Sequence, residues 1–142
     1  MYGATPSYTS NFFIQTIERL KNKEEVKAFV DEKRTPLSGT QVAQWLARLI
    51  DYTFQNKHKE RLFHLAGNES ISRYDFCLQL AETYHLDKQY IIPTLQKDLD
   101  LIPPRPQDVT MLNSLARRIL DFEPTSIREQ LIEEAKQLSV LE

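Results

Sequence analysis

Two arginines stand near prolines in segments with the composition of loops, where a guanidinium could bind a diphosphate. Arg105 lies within the sequence PPRP, residues 103 to 106, and Arg34 is followed by the sequence TP. A proline fixes its own φ and biases the preceding residue toward an extended conformation, so the backbone at Arg105 has few alternatives. A guanidinium offers parallel N–H donors that match two phosphate oxygens. The same pattern suits two exposed arginines, and the residues alone leave both interpretations open.

Tyr84 and Lys88 have the spacing of a catalytic tyrosine and lysine on one helix. A lysine one turn away lowers the pKa of a phenol, which can then transfer a proton. The pairing arises readily by chance in a chain with six tyrosines, and Tyr84 also completes an apolar stripe. We therefore expect a core tyrosine and a surface lysine, and we predict no catalytic residue in this chain.

The other reactive side chains favour structural roles. Cys77 follows an apolar residue within a predicted helix, so we expect a small buried hydrophobe rather than a nucleophile. Adjacent carboxylates at positions 24–25 and 133–134 are expected on solvated faces, with a divalent ion held across an interface as the alternative. The three histidines are scattered and none has ligand spacing, so no metal site is predicted.

Composition is that of one ordinary globular domain. The 142 residues are 41% hydrophobic and carry a net charge of −2, which gives no sign of a nucleic-acid-binding surface. No apolar run has the length of a membrane span or a signal-peptide core, and a single cysteine excludes an intrachain disulfide, so a cytoplasmic protein is expected. Three isolated glycines cannot form a phosphate-binding loop, so no cofactor site is predicted.

The elements that must position these groups follow from periodicity and capping signals. We predict helices over residues 11–22, 40–54 and 112–120, a helix after the capping box at 72–75, and a last helix beginning near Thr125 or Ser126. Strands are predicted over 26–31 and 61–67, with an extended segment near 90–95.

Four helices have predicted buried stripes. They are Phe13, Ile17 and Leu20; Val42, Leu46, Leu49 and Ile50, with Trp45 off the stripe; Phe76, Leu80 and Tyr84; and Ile127, Leu131, Ile132 and Leu138. The element order predicts a mixed, helix-rich α/β fold. Because a sheet of about five strands is usual, two or three strands indicate an incomplete sheet.

Several segments resemble the carboxy-terminal, substrate-binding half of extended short-chain dehydrogenases, and most of all dTDP-4-dehydrorhamnose reductase. They are "YG" at residues 2–3, "NFFIQTI", "VDEKRTPLSGTQVAQWLARLI", "FHLAGNESISRYDFCLQLAE", "PPRPQDVTMLNSLARRIL" and "PTSIREQL", in family order and spacing. The resemblance implies an incomplete Rossmann-type sheet in which "FHLAG" is a parallel edge strand. Residues 1–142 would be a single sugar-nucleotide-binding domain, and the amino-terminal dinucleotide-binding domain would be absent.

The same resemblance implies where a nucleotide-diphosphate sugar would bind. By position in the family pattern, the substrate-binding residues are Asn11, Arg34 and Arg105, with Asp108 able to brace the loop. Arg34 departs from the reductases, which often have a small residue there. NAD(P) and the catalytic tyrosine and lysine would belong to the missing half, so Tyr84 and Lys88 fall in the wrong place.

Two functions are compatible with these observations. The first is the substrate-binding portion of an NAD(P)-dependent sugar-nucleotide reductase or epimerase of polysaccharide biosynthesis, not catalytic alone. The second is a non-catalytic regulatory or scaffold protein related to the β subunit of methionine adenosyltransferase. We expect no nucleic-acid or membrane partner, and either a homo-oligomer or a companion amino-terminal half.

Overall fold

The computed structural model describes residues 1–3, 11–55, 62–99 and 102–141, and helices dominate them. The helices are α1 (Phe12–Lys21), α2 (Gly39–Gln55), α3 (Arg73–Thr83), α4 (Ser114–Leu120) and α5 (Ile127–Leu141). The strands are β1 (Val26–Phe29), β2 (Lys33–Arg34), β3 (Ile71–Ser72) and β4 (Ile91–Thr94), with 3₁₀ turns at Lys88–Tyr90 and Gln96–Asp98. The predicted helix-rich α/β class is confirmed.

The strands form two separate two-stranded sheets. β1 and β4 are parallel, with Val26 opposite Ile91, and α2 and α3 lie in the long connection that a parallel pair requires. β2 and β3 are antiparallel, with Arg34 opposite Ile71. Within the described ranges no larger sheet forms, which confirms that the sheet is incomplete.

Local capping fixes the predicted helix starts. Asn11 accepts a hydrogen bond from the third backbone N–H of α1 at 3.1 Å. Ser72 accepts one from the N–H of Asp75 at 3.0 Å and donates its hydroxyl to the Asp75 carboxylate at 2.6 Å. Ser126 and Glu129 cap each other's backbone N–H groups at the start of α5, a reciprocal capping box. These contacts lie within a few residues, which is why the sequence predicts them.

The main core lies between α1, α3, α5 and the β1–β4 pair. Phe13, Leu80 and Leu131 are fully buried there, and the Tyr2 ring packs against Phe13 with centroids 5.6 Å apart. Cys77 is also buried in this core, as predicted. The buried faces predicted for α1 and α3 are thereby confirmed.

The stripe predicted for α2 is wrong at Leu46 and Ile50, whereas Leu49 is partly buried as predicted. Trp45 is fully buried and forms a second cluster with Ala116 and Leu120 of α4, because α2 packs against α4 through this face. Leu46 and Ile50, which were predicted to be buried, are 45% and 53% exposed. Phe54 is 72% exposed. Leu46, Ile50 and Phe54 follow one another at four-residue spacing, and we call them the exposed α2 row.

Two further expectations fail for packing reasons. Residues 62–67 form no strand, since no described strand lies beside them to supply a ladder of hydrogen bonds, and residue 61 lies outside the described residues. Ile132 was assigned to the buried stripe of α5 but is 42% exposed. It follows Leu131 directly, and successive helical residues point in directions about 100° apart, so only one of the two faces the core.

Candidate anion-binding site

Three arginines converge on one buried carboxylate. Glu32, between β1 and β2, is 1% exposed. Its Oε1 lies 3.3 Å from Arg34 Nη2 and 3.3 Å from Arg73 Nε, and its Oε2 lies 3.9 Å from Arg105 Nη1. We call these four residues the arginine cluster. It contains both arginines that the sequence singled out and two residues that it did not.

Sheet pairing brings two of the arginines together. Arg34 was predicted to lie in a loop, but it belongs to β2 and pairs with Ile71 of β3. That pairing sets Arg34 beside the start of α3, where Arg73 is the first residue. The backbone N–H of Arg73 donates to the carbonyl oxygen of Glu32 at 3.1 Å. Residues some forty positions apart therefore meet through backbone contacts.

A second set of backbone contacts brings the proline-rich loop to the cluster. Lys33 N–H donates to the carbonyl of Gln107 at 2.6 Å, and Val109 N–H donates to the carbonyl of Lys33 at 3.2 Å. Arg34 Nη1 also reaches the carbonyl of Pro106 at 3.5 Å. Arg105 is thus held on the same side of the molecule as Arg34, in a loop whose side chains are exposed.

The cluster carries an excess of positive charge. Three guanidinium groups and one carboxylate give a net charge of +2. Burial lowers the pKa of Arg73, Glu32 offsets that effect, and the charges of Arg105 and Arg34 lower it further. An anion carrying two negative charges would neutralise the cluster and relieve the repulsion among the arginines.

An apolar pocket adjoins the cluster. Its volume is about 330 Å³, and its lining combines Arg34 and Arg73 with the aromatic rings of Phe12, Phe13 and Phe76. The Arg73 guanidinium stacks on the Phe12 ring at 4.1 Å from the centroid, a cation–π contact that holds it in place. A pocket of this size is within the usual range for small-molecule sites, and an apolar lining with a few convergent polar groups is typical of them.

The other two predicted site residues have local roles. Asn11 uses both ends of its amide within the chain, since Oδ1 caps α1 and Nδ2 donates to the carbonyl of Gly3 at 3.2 Å. Asp108 accepts a hydrogen bond from the backbone N–H of Thr110 at 2.9 Å. The hydrogen bonds from Thr110 lower the pKa of Asp108, and both residues lie in the segment after Arg105.

Sequence reasoning missed Glu32 and Arg73. Glu32 stood in a segment interpreted as a loop, and Arg73 follows a helix cap, a position where a charged residue is usually exposed. A buried acid requires positive partners, but the partners of Glu32 come from three separate segments. No local pattern in the sequence could have identified them.

The other side chains considered for chemistry make contacts within the fold. The Tyr84 hydroxyl lies 3.5 Å from the Leu131 carbonyl and burial raises its pKa, whereas Lys88 pairs with Glu82 at 3.1 Å. Burial raises the pKa of Cys77 to about 12. Among the described residues, no group of three or more His, Cys, Asp or Glu side chains could hold a metal ion.

Glu134 is an exception to the solvated face expected for positions 133–134. It is 1% exposed and accepts a hydrogen bond from the Thr40 hydroxyl at 3.0 Å. It lies on the same side of α5 as Gln130 and Leu131, both fully buried, because residues three and four positions apart share a helix face.

No described helix is long and apolar enough to cross a membrane.

Comparisons with known proteins agree with this architecture. dTDP-4-dehydrorhamnose reductase from Bacillus anthracis, solved with NADP, superposes with a TM-score of 0.81 at 17% identity, over 96% of this chain and 45% of that one. The Clostridium acetobutylicum orthologue gives 0.77 at 22%, over 92% and 45%, and the Yersinia enterocolitica reductase 0.69 at 22%, over 95% and 46%. The chain thus spans less than half the length of these reductases.

Sequence comparison supplies the family. No curated protein sequence matches the chain. The family model of the RmlD substrate binding domain matches residues 1–140, nearly the whole chain. With the segments in family order and the shared fold, this match shows that the chain belongs to the RmlD substrate-binding domain family.

Proposed function

We propose that this chain is the sugar-nucleotide-binding portion of a reductase resembling dTDP-4-dehydrorhamnose reductase, and that Arg34 and Arg105 bind the diphosphate. The observation that carries the proposal is their convergence, from β2 and the proline-rich loop, on Glu32 beside the pocket. Asn11 would order the start of α1 at this site and Asp108 would brace the loop. Residues 1–142 would act as one substrate-binding domain.

The charge and shape of the cluster support this ligand class. The diphosphate of a nucleotide sugar carries two negative charges at neutral pH, which matches the net charge of +2 on the cluster. Arginine forks bind such groups through two N–H donors at once. The adjoining pocket has exposed apolar side chains in its lining, Val109 and Met111 among them, against which a sugar or base ring could pack.

NAD(P) would be held by a companion amino-terminal half, as would the catalytic groups. The described residues do not fit a dinucleotide, because no glycine-rich turn connects a strand to a helix among them and the three glycines are far apart. No step of hydride transfer is therefore assigned to this chain. Its contribution is to bind and orient the substrate. The cytoplasmic location and the role in polysaccharide biosynthesis stay predictions.

Isothermal titration calorimetry with dTDP-glucose and UDP-glucose tests the proposal. We expect sub-millimolar binding that weakens in high salt, and a weaker affinity in Arg34→Gln because one donor fork is lost. Arg19→Gln is the matched control, since Arg19 lies on α1 and forms an exposed ion pair with Glu24, so the same charge is removed outside the cluster. Binding absent at millimolar ligand, or equal loss in both variants, would count against the proposal.

The exposed α2 row favours a second candidate function, a scaffold protein or subunit that functions through a partner. Leu46, Ile50 and Phe54 form an exposed apolar row that a companion half or a second copy could cover. Light scattering separates the possibilities. An obligate oligomer indifferent to sugar nucleotide, and dissociated by Ile50→Glu but not by Ile132→Glu at a second exposed isoleucine, would support the scaffold role. A monomer that binds sugar nucleotide would support the first proposal.

A further inference from the structure

The two oxygens of the Glu32 carboxylate are not equivalent. Oε1 lies 3.3 Å from both Arg34 and Arg73. Oε2 is fully buried and accepts no hydrogen bond from any residue that the structure describes, and Arg105 Nη1 lies 3.9 Å from it. A buried carboxylate oxygen without a hydrogen bond is costly. Arg34 and Arg73 therefore lie closer to the Glu32 carboxylate than Arg105 does.

Arg73 is the most firmly fixed of the three. Its backbone N–H donates to the Glu32 carbonyl, its Nε pairs with Glu32 Oε1, and its guanidinium stacks on Phe12. It also lines the pocket. The side chain is still 28% exposed, so a ligand in the pocket could reach it while the stack on Phe12 fixes the plane of the guanidinium.

Arg105 is the most adjustable. Its side chain is 49% exposed, and its contact with Glu32 is the longest in the cluster. Arg34, by contrast, is held in β2 and donates from Nη1 to the carbonyl of Lys33 at 2.8 Å. Rotation of Arg105 away from Oε2 would break no hydrogen bond to Glu32, because none is formed.

We propose that Glu32 is an internal counter-ion that positions the cluster, and that Arg73 is a third arginine contacting the diphosphate. Oε1 keeps Arg34 and Arg73 convergent before the ligand arrives, and Arg105 turns from Oε2 to the incoming phosphate. Glu32 itself is a positioning residue, because it acts through the arginines. The inference rests on the proposed function for the identity of the ligand, and it extends the site to two residues that neither the sequence nor the family comparison assigns.

The sign of one substitution separates positioning from simple charge attraction. Glu32→Gln raises the net charge of the cluster from +2 to +3, so attraction alone predicts tighter binding of an anion. If Glu32 positions the arginines, binding weakens although the positive charge rises. We expect about tenfold weaker binding, the loss associated with one misplaced charge-assisted hydrogen bond.

Calorimetric titrations with inorganic pyrophosphate and with dTDP-glucose provide the test. Glu32→Asp keeps the negative charge but shortens the side chain by one methylene, which moves the carboxylate away from the arginines. Arg73→Lys keeps the positive charge but replaces the planar guanidinium with an ammonium group. We expect both to weaken binding about fivefold or more, since bidentate geometry is lost in each. Glu24→Gln, which removes an exposed carboxylate, is the control and should bind as the wild type does. Thermal melts establish that each variant is folded, and Glu32→Asp replaces Glu32→Gln if the latter is not.

Each outcome is decisive. Weaker binding of both probes by the Glu32 and Arg73 variants supports the inference. Equal or tighter binding by folded Glu32 variants, or unchanged binding by Arg73→Lys, overturns it while leaving the proposed function intact. If the variants weaken pyrophosphate binding but the wild type binds dTDP-glucose no more tightly than pyrophosphate, the cluster is confirmed as an anion site and the proposed function fails. If neither probe binds the wild type, both fail.

Discussion

Replacement of Arg105 by alanine should weaken sugar-nucleotide binding while leaving the fold intact. The side chain is 49% exposed, and its ion pair with Glu32 is 3.9 Å long. Glu32 is buried, but it keeps Arg34 and Arg73 at 3.3 Å when Arg105 is removed. A long contact with a half-exposed arginine contributes about 0 to 1 kcal/mol, so the free energy of unfolding should fall by less than about 1 kcal/mol. Stability and binding should therefore separate in this variant.

The expected loss of affinity follows from the same geometry. A hydrogen bond to a charged group contributes about 1.5–3 kcal/mol. Because Arg105 is half exposed, water competes for its donors and the lower part of that range applies, about 1.5–2 kcal/mol. At about 1.4 kcal/mol per factor of ten, the dissociation constant should rise about 10- to 30-fold. The salt dependence should also weaken, because one of the charges that attract the ligand is gone.

Calorimetry with dTDP-glucose at low and high salt measures both quantities, and urea denaturation measures stability. Arg118→Ala is the matched control, since it removes an exposed arginine of α4 outside the cluster. Wild-type affinity in Arg105→Ala, or an equal loss in Arg118→Ala, would refute the assignment of Arg105 to the diphosphate. A large loss of stability would refute the description of its contact with Glu32 as weak.

Three further predictions concern packing. Gly67→Ala should lower the melting temperature by several degrees, because the added Cβ would lie 2.1 Å from the backbone carbonyl oxygen of Pro36. Gly39→Ala should melt like the wild type, because the Cβ added there would lie 3.7 Å from the nearest backbone oxygen. Equal melting temperatures of the two variants would contradict the packing around Gly67. Leu131→Ala, at a fully buried site, should lose about 2–5 kcal/mol in urea denaturation. Ile132→Ala, its exposed neighbour, should lose less than about 1 kcal/mol, and similar losses would argue against the orientation of α5. Cys77, whose pKa burial raises from 9.0 to about 12, should resist thiol reagents at mildly alkaline pH until urea unfolds the chain, and rapid labelling of the native protein would disprove its burial. Because the folded state favours the neutral thiol, its contribution to stability is complete below pH 9.0 and is lost as the pH rises toward about 12.

What the sequence predicts correctly depends on contacts within a few residues. The caps at Asn11, Ser72 and Ser126 and the buried faces of α1 and α3 follow from hydrogen bonds and periodicity within one or two helical turns. The shortage of strands also follows from composition and pattern. Arg34 and Arg105 stand out because prolines near them restrict the local backbone.

What the sequence cannot predict depends on which elements meet. The packing of α4 determines which face of α2 is buried, because α4 contacts Trp45 and leaves Leu46 exposed. The spacing of apolar residues along α2 alone predicts a buried Leu46 and a Trp45 off the stripe. A strand exists only where another strand supplies hydrogen bonds, so residues 62–67 remain irregular despite their apolar character.

The candidate site divides in the same way. The sequence by itself determined the two arginines near prolines, because the stiffness of that backbone is a local property. Only the tertiary structure decided that they converge, since β2–β3 pairing and the contacts of Lys33 with the proline-rich loop bring together segments up to about seventy positions apart. Glu32 and Arg73 join the site for the same reason. Burial of a charge is determined by the groups that surround it in space, and most of those groups are distant in the sequence.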